Sequence, residues 1–279
     1  MNIFNAGPDL SGILALLATV TFLAVACWEA LRPSRQTATP MTLRWFGNVS
    51  LFGLGWLILR AAPFLSAYGA SFIARDHGWG LFNQISIPFA LAIVLGVLAQ
   101  DLFGYWTHRL YHALSPLWRL HAIHHSDTDL DVTTAIRHHP FEALVQTLLD
   151  AAFAILLGLP PQAVALYGGV VLAVQVFHHG NVVLPRRLRW LGVWVITPDL
   201  HRLHHSTAYH ENNSNFGNLI PLWDRLFGTL RQEPDAGFQV GLAEFPGPAA
   251  QRLDQLLIQP VLVSVTPASL QRGAAKPSA

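Results

Sequence analysis

The sequence predicts an all-α integral membrane protein: about four transmembrane helices, or three and a membrane hairpin, beneath a helical cap. Three observations carry this. Only 12% of the 279 residues are charged, about half the ~25% of soluble domains. Hydrophobic residues reach 52% and mean hydropathy is +0.37. The apolar residues also gather into runs near the roughly 20 residues that cross a bilayer as a helix.

The first run, Leu10 to Trp28, is 19 residues without charge. It lacks a basic leader, and Ala24-Val25-Ala26-Cys27 is a poor cleavage signal, so it reads as an uncleaved anchor. The second, Trp45 to Ala74, is interrupted by Arg60, with Pro63 just after. The third, Ile85 to Trp106, carries Gln100 and Asp101 near its end. Ala143 to Leu159 and Gln162 to Phe177 are joined by Pro160-Pro161. At ~1.5 Å per residue each reaches roughly 25 Å, as two short spans or a hairpin that dips and returns. The expected division is 1–95 as an N-terminal transmembrane region, 96–230 as the domain that holds nearly all the histidines, and 231–279 as a surface segment. In the last, Gln251 to Val265 reads as an amphipathic surface helix and Gln271 to Ala279 as a disordered tail.

Arginine placement sets the orientation. Arg32, Arg35 and Arg44 follow the first run, Arg109, Arg119 and Arg137 the third, and Arg186, Arg187 and Arg189 the paired runs. The loop before the third run holds only Arg75. The positive-inside rule puts the amino terminus outside and the arginine-rich ends in the cytoplasm, in a bacterial inner membrane or the endoplasmic reticulum. Cys27 is the single cysteine, which excludes disulfides, CxxC zinc sites and thiolate ligands. With 17 basic and 16 acidic residues there is no excess charge for nucleic acid.

Thirteen of the 14 histidines fall between His108 and His210. His108 and His112 form HxxxH; His121, His124 and His125 form HxxHH; His201, His204 and His205 form it again. Positions i, i+3 and i+4 share one helix face, and imidazole is the commonest transition-metal ligand. Eight or more imidazoles exceed the about four to six ligands of one metal, so two metals are expected. No Glu falls inside a cluster, unlike the Glu-x-x-His of soluble di-iron bundles, and no HExxH exists. A bis-histidine haem needs no tandem clusters. A transporter would place ionisable residues within the apolar runs, where only Asp101 and Asp150 occur. Neutral imidazoles would leave a di-iron pair cationic, suited to reducing dioxygen in water-poor surroundings.

The order HxxxH, HxxHH, RxHPxE, a His before Asn, then HxxHH resembles the fatty acid hydroxylase superfamily, also called the sterol desaturase family. The strings are Asp101-Leu-Phe-Gly-Tyr-Trp-Thr-His108, Arg137-His-His-Pro-Phe-Glu142 and Pro198-Asp-Leu-His-Arg-Leu-His-His205. Asn215-Phe-Gly-Asn218 and Trp223-Asp-Arg-Leu-Phe-Gly-Thr229 complete a likeness over roughly Gly96 to Thr229. It implies a membrane enzyme with two non-haem Fe ions, which Zn can replace in purified protein. Such an enzyme hydroxylates or desaturates a lipid C–H bond with O2 and two external electrons. No flavin or nucleotide fingerprint is present, so the electrons would come from a b-type cytochrome, or a ferredoxin with its reductase.

By position, the resemblance assigns His108, His112, His121, His124, His125, His201, His204 and His205 as metal ligands. It favours His179 over His178, with Gln175 standing where some relatives have a further histidine. His139 matches the histidine of RxHP, although a residue before proline is pushed away from helix. His138 and His210 read as hydrogen-bonded bystanders, and His77 as remote. Asp101, Glu142, Asp199, Asn215 and Asp224 are candidates to fix imidazole tautomers; Asp199 also reads as a helix N-cap. A lipid would come in between the third run and the paired runs. Tyr105, Trp106, Trp118, Trp190 and Trp194 read first as an interfacial belt. The competing expectations are a non-catalytic membrane metal-binding or transport protein and a di-zinc membrane hydrolase.

Overall fold

The computed structural model describes residues 8–263, which hold helices, turns and one isolated bridge between Ser206 and Val240, with no strand. In chain order the helices are α1 (Pro8–Leu31), α2 (Met41–Arg60), α3 (Ala67–His77), α4 (Leu81–Gln84), α5 (Phe89–Ala113) and α6 (Ser115–His125). They continue as α7 (Pro140–Leu157), α8 (Pro161–His179), α9 (Pro198–His204), α10 (Tyr209–Asn212), α11 (Leu222–Leu226) and α12 (Leu253–Leu262). Four are long and apolar enough to cross a membrane: Gly12–Leu31 of α1, then α5, α7 and α8. Their outward residues are apolar, among them Leu16 and Leu23 on α1, Leu91 and Val94 on α5, and Leu156 on α7. That surface suits lipid, because a helix satisfies its own backbone hydrogen bonds there. The protein is an all-α integral membrane protein.

Two expectations change in detail. The Trp45–Ala74 run is not one span. α2 stops at Arg60, Pro63 opens a 3₁₀ turn, and the Ser66 hydroxyl caps α3 by accepting from Gly69 N at 3.1 Å. α2 is absent from the four apolar candidates, yet Phe52, Trp56 and Leu57 lie exposed along it. The paired runs are two complete helices of 18 and 19 residues, about 27 Å or more each at ~1.5 Å per residue. Gly158 ends α7 at φ 66°, the left-handed cap that glycine adopts without a Cβ clash. There the chain also approaches Gly80 so closely that a Cβ on Gly80 would lie 2.0 Å from Gly158 N.

Hydrogen bonds define the direction of each helix. Glu29, near the end of α1, accepts from Val132 N (3.0 Å) and from Asn181 N (2.6 Å) just beyond α8. Arg44, in the first turn of α2, reaches Asp127 just after α6. Thus α1, α5 and α8 finish at one end of the molecule, while α2 and α7 begin there. The histidine clusters occupy that end; α3 and α4 pack at the other. α12 lies within the expected surface helix, burying Leu256 against Leu51 and Ile123 while Ile258 and Val261 face outward. The expected tail from Gln271 lies outside the described residues.

A buried ionic knot holds the histidine end together. Arg44 donates to Asp127 through Nε (2.8 Å) and Nη2 (2.9 Å), and to Asp131 through Nη1 (2.7 Å). Beside it the buried Arg137 donates to Ile123 O (2.7 Å), Asn48 Oδ1 (2.8 Å) and Ser126 Oγ (2.8 Å). These bonds tie α2 to the end of α6 and the segment after it. Removing one member of such a pair strands a buried charge, which costs more than removing both. Arg44→Met should therefore destabilise the detergent-solubilised protein by about 3–5 kcal/mol. Thermal unfolding should show Arg44→Met with Asp127→Leu recovering part of that loss.

Candidate metal centre

Two short helices supply most of the centre. α6 begins with Pro116 in its first turn and α9 with Pro198, residues preset for helical φ where no N–H partner is needed. Each then presents its HxxHH over one and a half turns. His108 and His112 come from the last turns of α5, and His178 and His179 end α8.

The rings form two groups. His108, His112, His121, His125 and His204 make one; His124, His179, His201 and His205 make the other, and within each group the ligand nitrogens lie within 4.8 Å of one another. Every HxxHH is divided between them. In α6 the i, i+4 pair His121 and His125 joins the first group and His124 the second; in α9, His201 and His205 join the second and His204 the first. The rings of His125 and His205 stack at 4.5 Å between centroids, so the groups are neighbours.

The nitrogen spacing tests whether metals fit. In the first group Nε2 of His125 stands 3.1 Å from that of His112 and 3.2 Å from that of His121. In the second, Nε2 atoms of His124 and His179 are 3.1 Å apart, His179 and His201 2.9 Å, and His201 and His205 3.1 Å. Ligands bound at ~2.0–2.1 Å stand roughly 2.9 Å apart at right angles and roughly 3.4 Å apart in a tetrahedron. The observed edges lie in that interval. Nε2 of His108 and of His204 are buried without a hydrogen-bond partner, as lone pairs reserved for a cation would be.

The outer nitrogens fix the tautomers. Nδ1–H donates to Phe216 O from His108 (2.9 Å), to Arg137 O from His124 (3.3 Å), to Gln175 O from His179 (2.7 Å) and to Ser214 O from His204 (2.8 Å). A carbonyl only accepts, so each bond leaves Nε2 unprotonated and facing inward. His121 Nδ1 meets Glu142 Oε1 at 2.7 Å, the carboxylate–histidine arrangement that strengthens a ligand. Burial, then neighbouring imidazoles, hold His124, His125, His201 and His205 well below the ordinary range. His204 is held down at about 3, chiefly by burial. Neutral rings are what ligation requires.

Nine of the sequence-expected ligands thus come together, and His139 does not. It sits extended before Pro140, and its Nδ1 accepts from Phe141 N at 3.2 Å as the cap of α7; the proline that follows keeps it out of the helix. Glu142 alone among the five tautomer-fixing candidates touches a ring of the groups. Asp101 instead accepts from Trp223 Nε1 (2.8 Å) and Leu219 N (3.1 Å), anchoring the 218–223 turn. Asp199 is not the N-cap of α9, which is Thr197, and pairs with Arg202 at 3.4 Å. Asp224 accepts from Phe216 N and Gly217 N, both at 2.8 Å, and so acts on His108 through the Phe216 carbonyl. Asn215, at φ 54°, ties Leu200 O to the chain at Arg231 and touches no imidazole.

The bystanders are placed as well. His138 bonds Glu142 at 3.0 Å and stacks on His124; burial works against its charge, but the Glu142 carboxylate raises it overall. His210 is exposed and pairs with Asp235, and His77 stacks on Trp79 at the far end. His178 lies buried, stacked on His201 at 3.9 Å with both ring nitrogens unpartnered. The tandem His178-His179 was its only signal in the sequence.

A cavity of about 500 Å³ runs from these rings between the helices. It touches both groups, through His108, His121, His124, His179 and His201, and its remaining wall is largely apolar. The exposed lining residues are Phe52 (51%) and Trp56 (49%) on α2, and Gly168 and Leu172 (38%) on α8. The mouth is therefore lateral, between α2 and α8, and not between the third run and the paired runs. None of the five expected aromatics lines it: Tyr105 and Trp118 are core residues, while Trp106, Trp190 and Trp194 are exposed, as an interfacial belt would be.

A membrane-helical scaffold carrying two histidine groups above a lateral apolar cavity defines the class. Residues 93–229 match the fatty acid hydroxylase family, the family that the order of the histidine motifs resembles. It is 36% identical over 147 residues to an ornithine lipid hydroxylase of Rhizobium tropici, 53% of this chain and 44% of that one. It is 30% identical over 175 residues to an alkylglycerol monooxygenase of Danio rerio (62% and 38%), and 27% identical over 160 residues to a Δ7-sterol 5(6)-desaturase of Gibberella zeae (56% and 44%). The matched stretch spans under half the length of these relatives. No solved structure matches the chain.

Two measurements check this arrangement. Chelator competition should show Glu142→Gln weakening metal retention by about 10–100-fold, whereas His139→Ala should keep the metal content and lose about 1 kcal/mol of stability with the cap. The unfolded chain protonates His204 near pH 6.5, while the folded state holds its ring at about 3. Below about pH 6.5 the unfolded state takes up a proton the folded one refuses, so metal-free protein should melt progressively earlier from pH 7 towards 4.

Proposed function

We propose that this chain is a membrane oxygenase that uses two iron ions, O2 and two external electrons to oxidise a C–H bond of a lipid. The observation that carries the reading is the lateral apolar cavity ending against both imidazole groups. His108, His112, His121, His125 and His204 would hold one iron, and His124, His179, His201 and His205 the other. When bound, the irons supply the activation of O2 that an unactivated C–H bond demands. The chain's own part is to place that bond and to exclude water. Leu51, Phe103, Phe153 and Val164 offer an alkyl chain an apolar wall, with the rings of His108 and His201 at its end. Glu142 keeps the His121 Nδ1 proton in place, and the main-chain carbonyls do the same for four other ligands.

Hydroxylation is the primary outcome in this reading, since the relatives named as a hydroxylase and a monooxygenase exceed the desaturase in identity. The arginine-rich end carrying the histidines faces the cytoplasm under the positive-inside rule, where a separate electron-transfer protein, a b-type cytochrome or a ferredoxin with its reductase, would dock. The rivals are a metal carrier without turnover and a di-zinc hydrolase.

Protein purified without oxygen and loaded with iron should hold two irons per chain. Given reductant, lipid and ¹⁸O2, it should place ¹⁸O in a lipid product. His204→Ala should abolish that product. Full turnover by a zinc-loaded protein without oxygen uptake would overturn the proposal.

A further inference from the structure

Asp150 is the acidic residue of the apolar runs that the histidine site leaves unused. It sits on α7, lines the cavity, and among the described residues bonds one partner, Gln146 Nε2 at 2.9 Å, with no cation beside it. Gln146 lies one turn nearer the histidines on the same face. Gln100 on α5 and Tyr167 on α8 also line the cavity, so three helices bring polar side chains to its wall. Gln100 is tied to Gly96 O (2.9 Å), and Tyr167 donates to Asp101 at 3.4 Å. Neither neutralises Asp150. An acid without a countercharge inside a membrane helix is expensive, and such residues face cavities where they serve a ligand.

Position gives this polar group a measure. Asp150 is eight residues beyond Glu142 on α7, and Gln100 eight residues before His108 on α5, so both lie about 12 Å from the histidine groups at ~1.5 Å per residue. Bonds of ~1.52 Å at ~111° advance an extended chain roughly 1.25 Å per carbon. Twelve ångströms therefore correspond to about ten carbons.

We propose that Asp150, set by Gln146, is a substrate-recognition site that hydrogen-bonds a hydroxyl group of the lipid about ten carbons from the carbon presented to the histidine groups. The assignment deepens the oxygenase reading and rests on it. A hydroxyl suits the position because it can donate to and accept from the carboxyl group, and needs no ion to be buried in the bilayer.

Binding tests it apart from turnover. Trp56 lines the mouth, and bromine quenches tryptophan at short range. Fluorescence of the purified, iron-loaded protein is titrated with 9,10-dibromohexadecan-1-ol, 9,10-dibromohexadecane and 9,10-dibromohexadecylamine, with Trp56→Phe as background. The alcohol should bind about fivefold tighter than the alkane, the scale of one hydrogen bond. Asp150→Asn should retain that preference and Asp150→Leu should erase it. Equal binding of alcohol and alkane by the unmodified protein overturns the proposal even if Asp150→Leu fails to fold. So does a preference that survives Asp150→Leu, or an amine that binds more tightly than the alcohol. A clear alcohol preference without oxygen uptake leaves this site standing and removes the oxygenase reading instead.

Discussion

Nine buried imidazoles with their Nε2 atoms turned towards one another form an arrangement that repels itself, and the remainder of the protein is organised to hold it. Five outer nitrogens are fixed by acceptors that cannot donate, four main-chain carbonyls and the Glu142 carboxylate. Those carbonyls are themselves restrained. Asp224 positions Phe216, and Arg137, which offers its carbonyl to His124, is clamped by Asn48, Ser126 and Ile123. The Arg44–Asp127 pair then fastens α2 to the segment that carries Arg137. The constraint at the centre therefore reaches α2 through a chain of hydrogen bonds, each with a named donor.

The division of each HxxHH follows from helix geometry. Residues i and i+4 lie almost one above the other, while i+3 is offset around the axis. A helix that gives its i, i+4 pair to one group necessarily turns its i+3 ring towards a neighbouring point. α6 and α9 do so in opposite senses, and two helices of eleven and seven residues, with the C-cap residue of the second, suffice for six of the nine rings. Losing α9 would remove rings from both groups at once.

Ring clusters and apolar runs were legible in the sequence because both are local patterns with a fixed period. The nine clustered histidines and the helical class came from spacing and resemblance. What the sequence hid depends on contacts between distant segments. Asp101 lies two helical turns before His108, yet its carboxylate is claimed by Trp223 and Leu219, more than a hundred residues onward. The carbonyl acceptors have no sequence signature, since every residue carries one. His139 could be read either way until the Pro140 turn made it a cap. The Trp45–Ala74 run reads as one long apolar stretch interrupted by Arg60 and Pro63, and the backbone turns that interruption into a break between two helices. The mouth of the cavity depends on which helices leave a gap, and no single segment encodes that.

The mouth between α2 and α8 opens sideways, among the exposed apolar residues Phe52, Trp56 and Leu172, rather than at the ends of the helices. A ligand taking that route never becomes an aqueous solute. Its effective concentration is then a mole fraction within the bilayer, and occupancy of the cavity depends on how much of that lipid the surrounding leaflet contains. Diluting the membrane with inert lipid slows such an exchange, while diluting the suspension leaves it unchanged. The composition of the host membrane thus becomes a setting on how often the cavity is filled.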